Sequence, residues 1–209
     1  TPARVALSDS GHEAGRWWMP LATTLTQMVT SADPDLGPYF PNLAYIASDG
    51  SHLIGATLGN GNFPTGKLPV KEEVHRLIVD RGAIMAVFGQ GVERMIPRSS
   101  LLANLDCIPL FDLASLLPEG NKGSIQQVAW LSNVGVGLAL VNQGGTGSSR
   151  QLMAIAFCSH RGVLSQSLLP FSGPAIPAPS GFLFQDESGP RLVGFDEEAM
   201  KIDNGPAEK

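Results

Sequence analysis

The chain has 209 residues, of which 43% are hydrophobic and only 16% charged, with a formal net charge of −5; ordinary soluble domains carry about 25% charged residues. That composition excludes a disordered chain, a coiled coil and a collagen-like repeat. No apolar run approaches the ~18–20 uninterrupted residues of a membrane-spanning helix, and no Lys/Arg run offers a nucleic-acid surface.

In chain order, Arg4 to Ser8 reads as a short strand. Glu13 to Ser31 reads as a helix, kinked or begun near Pro20, because Trp17, Leu21, Leu25 and Met28 recur every three to four residues. Asp33-Pro34-Asp35-Leu36-Gly37-Pro38 is punctuation. Asn42 to Leu58 reads as a hairpin about Asp49-Gly50, a pair that tolerates positive φ. A Gly/Asn/Pro loop, Gly59 to Pro69, leads to a second amphipathic helix over Val70 to Asp80, with Val70, Val74, Leu77 and Ile78 on one side and Gly82 as its stop.

Ala83 to Phe88 and Val92 to Ile96 form a hairpin about Gly89-Gln90-Gly91. Short helical pieces at Ser100 to Leu105 and Asp112 to Leu117 bracket Cys107. A four-stranded meander follows: Ser124 to Ser132, Val134 to Asn142, Arg150 to Cys158 and Gly162 to Leu169. Pro170, Pro174, Pro177 and Pro179 stiffen a connection to a last pair, Phe182 to Gln185 and Arg191 to Phe195. No internal repeat is evident. The expected fold class is α+β: an antiparallel sheet, made of hairpins plus the four-stranded meander, with helices packed mainly on one face. Residues 1–198 read as a single domain and 199–209 as a flexible acidic tail. The layout is similar to that of sensory and adaptor domains of the PAS, GAF or roadblock type, in architecture alone.

Charge is unevenly placed. Residues 186–209 hold seven acids and three bases, whereas the 62 residues from Ser124 to Gln185 hold only Arg150 and Arg161. Either that sheet is buried on both faces, or another chain covers one of them. Within it, Val134, Val136, Leu138 and Leu140 alternate with Gly135, Gly137 and Ala139. Met153, Ile155 and Phe157 likewise alternate with Ala154, Ala156 and Cys158. Each strand thus has a large and a small face, and a flat small face would admit a close neighbour. Cys107 and Cys158 read as free thiols, which favours a reducing, cytoplasmic compartment, with a single disulfide left open. The opening Thr1 carries no initiator Met or signal-like leader, as in a processed chain or an excised domain.

Motifs are sparse. Gly61-Asn62-Phe63-Pro64-Thr65-Gly66-Lys67 fits seven positions of a P-loop, but Leu68 stands where the magnesium-binding hydroxyl belongs and Pro64 removes a backbone donor. The Gly-x-Gly pairs lack a third glycine. For catalysis the candidates are Cys158, His160 and Ser148, since a thiol or hydroxyl needs a neighbouring base. For a small ligand or anion they are Gly145, Gly147, Ser149 and Arg150, whose amides, hydroxyl and guanidinium could form a concave nest. Thr1 offers a terminal nucleophile only with its own amine as base. Two Cys and four His at scattered spacings predict no metal site, and no cofactor is expected. Of Trp17 and Trp18, about 100° apart on a helix, at most one would be core.

The first functional expectation is a non-catalytic binding or interaction module, self-associating through the charge-poor sheet of residues 124–185, with a protein partner or a homo-oligomer. The second is a hydrolase or transferase assembled around Cys158, His160, Ser148 and Arg150. A structural subunit of a viral or other assembly shares the evidence of the first.

Overall fold

The structure, a computed structural model, describes residues 4–7, 17–20, 27–30, 43–48, 52–57, 65–70, 72–97, 105–119, 122–144, 151–170, 173–186 and 189–206. A hairpin of β1 (Arg4–Leu7) and β2 (Trp17–Pro20) comes first. Four antiparallel meanders follow, each with its four strands in sequence order. The first is β3 (Gln27–Thr30), β4 (Leu43–Ser48), β5 (His52–Thr57) and β6 (Thr65–Pro69). The second is β7 (Arg76–Asp80), β8 (Ala83–Val87), β9 (Gly91–Pro97) and β10 (Leu105–Asp112). The third is β11 (Lys122–Leu131), β12 (Val136–Gly144), β13 (Gln151–Cys158) and β14 (Gly162–Leu168). The fourth is β15 (Ala175–Ala178), β16 (Gly181–Asp186), β17 (Gly189–Asp196) and β18 (Lys201–Asp203). Among the described residues the only helix is α1 (Leu113–Leu116), one turn capped by Asp112, whose carboxylate accepts from the Ala114 amide at 2.8 Å.

The expected α+β class with helices on one face, and the PAS, GAF or roadblock likeness drawn from it, are therefore overturned: the described residues are almost wholly β. The helix read over Val70 to Asp80 is β7, preceded by buried Val74. Leu77 and Ile78 are consecutive and both buried, and they point to opposite faces of a sheet covered on both sides. Apolar residues on both faces of a strand produce three- and four-residue spacings by chance, which a helix produces by geometry. The segment from Glu13 to Ser31 contributes β2 and β3 where it is described, so Pro20 ends a strand rather than kinking a helix. The piece from Ser100 to Leu105 lies outside the described residues except for Leu105, which opens β10.

A structural repeat replaces the expected absence of one. The sheets begin at residues 27, 76, 122 and 175, a spacing of 49, 46 and 53. Consecutive four-stranded meanders of about 40–50 residues, stacked face on face, are the building unit of β-propellers. Stacking is explicit here. β3 lies against β7. β11 lies against β15 and β16, β12 against β17, and β13 and β14 against β18. Ile78, Met85, Val92 and Phe111 of the second sheet interdigitate with Val128, Ile155 and Phe157 of the third. The other face of the third sheet meets the fourth, where Leu138 and Leu140 pack with Phe182, Phe184, Val193 and Ile202. Ile202 belongs to β18, in the segment read as an acidic tail, and Pro206 bridges back to Arg191.

The third sheet is thus buried on both faces by its own chain. Six consecutive residues of β13, Leu152 to Phe157, are buried, and no charge can be placed there without a partner. Its register also corrects the expected flat small face. Leu138 pairs with Ala156, Leu140 with Ala154, Ala139 with Ile155 and Gly137 with Phe157. Each face therefore alternates large beside small across the two strands. Gly137 is required at its position: a Cβ there would sit 2.3 Å from the Phe157 ring, which stacks edge-on with Phe111 at 5.4 Å.

Candidate functional site

The residues that gather polar chemistry lie where three tight turns meet, at one end of the junction between the second and third sheets. β7 and β8 are joined by Arg81-Gly82, both at positive φ (43° and 82°), the two-residue turn that matches strand twist. That geometry sets Asp80 at the strand end. β13 and β14 are joined through Ser159, His160 and Arg161, and β11 and β12 through a turn ending at Gly135 (φ 66°).

Asp80 is only 8% exposed and Ser159 fully buried, and the Ser159 hydroxyl donates to Asp80 Oδ2 at 2.7 Å. On the carboxylate's other side stands Gly135, where a Cβ would lie 3.7 Å from Oδ1. Arg94, in the middle of β9, points to the same junction. Its Nη1 donates to the Ser159 carbonyl oxygen at 3.1 Å and lies 3.4 Å from His160 Nδ1, while its Nε is buried without a partner. A carboxylate, a hydroxyl, a guanidinium and an imidazole are thereby brought together from two sheets.

The arrangement can lock the sheets but lacks the relay of an acyl-transfer site. There the base stands between hydroxyl and carboxylate and takes the proton during attack; here Ser159 contacts Asp80 directly and has no access to solvent. His160 is exposed and faces Arg94. Cys158 and Cys107 are both half-buried and outside any disulfide, and the His160 ring nitrogen Nδ1 faces Arg94 rather than the Cys158 thiol. The other sequence candidates, Gly145, Gly147, Ser148, Ser149 and Arg150, lie outside the described residues. Gln151 and Cys158 stand at opposite ends of β13, roughly 23 Å apart at ~3.3 Å per residue. A site drawing on both groups would have to span the sheet.

Sequence reasoning missed Asp80 and Arg94. Asp80 fell inside the expected helix; the available signal was Asp80-Arg81-Gly82, a turn tripeptide between two apolar runs. Arg94 gave no signal, since a lone cation in a strand ordinarily faces water. Opposite this end, Gly89-Gln90-Gly91 is a second junction. Gln90 receives α1 through the Leu113 amide, donates its Nε2 to the Gly123 carbonyl at 3.1 Å and its own amide to Glu72 at 3.1 Å.

The P-loop-like segment does not open a helix: Thr65, Gly66 and Lys67 belong to β6, paired with β5. Among the described residues no group of three His, Cys, Asp or Glu is placed to hold a metal ion, and no helix is long and apolar enough to cross a membrane. No protein-family model, curated protein or solved structure matches this chain.

Proposed function

We propose that the chain is a non-catalytic binding and interaction module, a stack of four-stranded sheets that presents surface rather than a reactive centre. The observation that carries this reading is the use of Ser159: its hydroxyl is sealed from solvent and donated to Asp80, and its carbonyl accepts from Arg94 Nη1, so the one nucleophile of the cluster ties two sheets together. Self-association through residues 124–185 takes a narrower form. The cores on both faces of β11–β14 are formed with the chain's own second and fourth sheets, and the large apolar side chains of that stretch left exposed among the described residues are Leu168 of β14 and Ile176 of β15.

The competing hydrolase or transferase reading needs an activated thiol at Cys158, and alkylation separates the two. Iodoacetamide should label native Cys158 no faster than Cys107 and far more slowly than either residue in the unfolded chain. Selective, rapid labelling of Cys158 in the native protein would overturn the non-catalytic reading.

A further inference from the structure

One edge of the fourth sheet is closed by a segment that is only partly a strand. In β18, Lys201, Ile202 and Asp203 pair with Asp196, Phe195 and Gly194 of β17, and Ile202 anchors the strand in the core shared with the third sheet. The line breaks at Asn204-Gly205 and then resumes. The Leu192 amide donates to the Gly205 carbonyl at 3.1 Å, and Pro206 bridges to Arg191. Residues 205 and 206 thus cover the part of the β17 edge that β18 is too short to reach.

The break carries a reactive pair. The side-chain amide of an asparagine is open to attack by the main-chain nitrogen of the next residue. Glycine there, with no Cβ, obstructs the approach least and gives the backbone most freedom to reach it. Asn204 and Gly205 are half-buried and lie outside any regular strand. Gly205 is held by its carbonyl, and among the described residues no hydrogen bond engages the Gly205 nitrogen or the Asn204 side chain. The other asparagines among the described residues precede larger residues, Asn133 before Val134 and Asn142 before Gln143, and Asn142 lies within β12. A second such pair, Asn60-Gly61, lies outside the described residues.

We infer that Asn204 is a self-modification site, whose conversion to isoaspartate or aspartate releases residues 205 and 206 from β17. The co-reactant is water. The Gly205 nitrogen gives up its proton and bonds to Asn204 Cγ, the Cγ–Nδ2 bond breaks, and ammonia leaves with that proton. Water then opens the resulting cyclic imide at either carbonyl. Cleavage of the bond from Cγ to the Gly205 nitrogen leaves aspartate. Cleavage of the original peptide bond leaves isoaspartate, with the main chain routed through the side chain. Isoaspartate lengthens the main chain by one carbon. With Ile202 fixed in the core, residues 205 and 206 then lose their register with Leu192 and Arg191. Either product also sets a new carboxylate near that of Asp203, whose oxygens lie 3.7 Å from the Cβ position of Gly205, and like charges repel.

Ageing the whole chain at neutral pH, native and in parallel unfolded in urea, tests this. Trypsin releases Ile202 to Lys209, a peptide whose only asparagine is Asn204, so Asn60 does not interfere. Mass spectrometry should show a gain of about 1 Da in that peptide and two separable products. The native rate should fall within about tenfold of the unfolded rate, since an irregular sheet edge opens at little cost, whereas Asn142 should stay intact in the native chain. In the modified species, separated by its added charge, hydrogen exchange should show the Leu192 amide losing protection while β12 and β13 keep theirs. Gly205→Ala, whose Cβ meets nothing closer than 3.7 Å, should fold as the parent and convert several-fold more slowly. A native Asn204 that stays intact overturns the proposal, whether or not the unfolded chain converts. So does conversion that leaves the Leu192 amide protected, or an unchanged rate in Gly205→Ala. The non-catalytic reading stands or falls separately, on the labelling of Cys158.

Discussion

Replacing Ser159 by Ala removes one hydroxyl and leaves a buried carboxylate short of its donor. The backbone contact of Arg94 with the Ser159 carbonyl survives, so the perturbation is confined to Asp80 Oδ2. A hydrogen bond to a charged group contributes about 1.5–3 kcal/mol net, and a buried acceptor left unsatisfied costs a similar amount. Asp80 is almost fully buried, so water compensates little. The expected loss is about 2 kcal/mol; for a chain of 150–250 residues that corresponds to about 4–8 °C in Tm. Urea unfolding followed by circular dichroism measures it. Asp80→Ala completes a double-mutant cycle: with both partners gone no group remains unsatisfied, and the double variant should lose less than the sum of the singles by about 1–2 kcal/mol. A loss under about 0.5 kcal/mol for Ser159→Ala, or strict additivity in the cycle, would refute the view that this pair locks the two sheets.

Other outcomes follow from the same packing. Gly137→Ala drives a Cβ to 2.3 Å from the Phe157 ring; it should cost about 1–3 kcal/mol by thermal melting, with Phe157→Leu in the same chain recovering part of it. An undisturbed Tm for Gly137→Ala would contradict the cross-strand alternation of large and small residues. In the β7–β8 turn, Gly82→Ala should destabilise by about 1 kcal/mol because its φ is 82°. Arg81→Asn, at φ 43°, should be neutral or slightly stabilising, since Asn tolerates that region better than Arg; a loss comparable to that of Gly82→Ala would count against the turn geometry.

Much of the second half of the fold could be read from residues. The strands β11 to β14 occupy the segments assigned to the meander, because Gly135, Gly144 and Gly162 punctuate long alternating runs. The pairing of faces could not be read. Val136, Leu138 and Leu140 form a large set on β12, and Met153, Ile155 and Phe157 form one on β13, but alternation within a strand fixes only its own two sides. Register decides whether two large sets share a face, and here Leu138 opposite Ala156 puts them on opposite faces. The same ambiguity produced the false helix at Val70 to Asp80. The polar cluster was half legible. Cys158-Ser159-His160 drew notice for its thiol and imidazole, whereas the residue that matters between them is Ser159. Its partner is 79 residues away, on a strand end that no local pattern links to it.

The charge deficit of residues 124–185 bears directly on function. A deficit of that length admits two physical causes, desolvation by another part of the same chain or by another molecule, and composition treats them alike. The structure divides the stretch between them. Over β11 to β14 the cause is internal: β13 alone has six consecutive buried residues, and both faces carry side chains from neighbouring sheets. Over β15 and β16 the inner face has the same cause, while on the outer face Ile176 is exposed and Leu183, its cross-strand neighbour, is half-buried. Solubility alone would favour polar residues there, as at the exposed Gln126 and Gln127 of β11. The deficit is thus chiefly the mark of sheets stacked on one another within the chain, and an exposed Ile176 beside half-buried Leu183 is the kind of single apolar side chain that folded surfaces ordinarily carry.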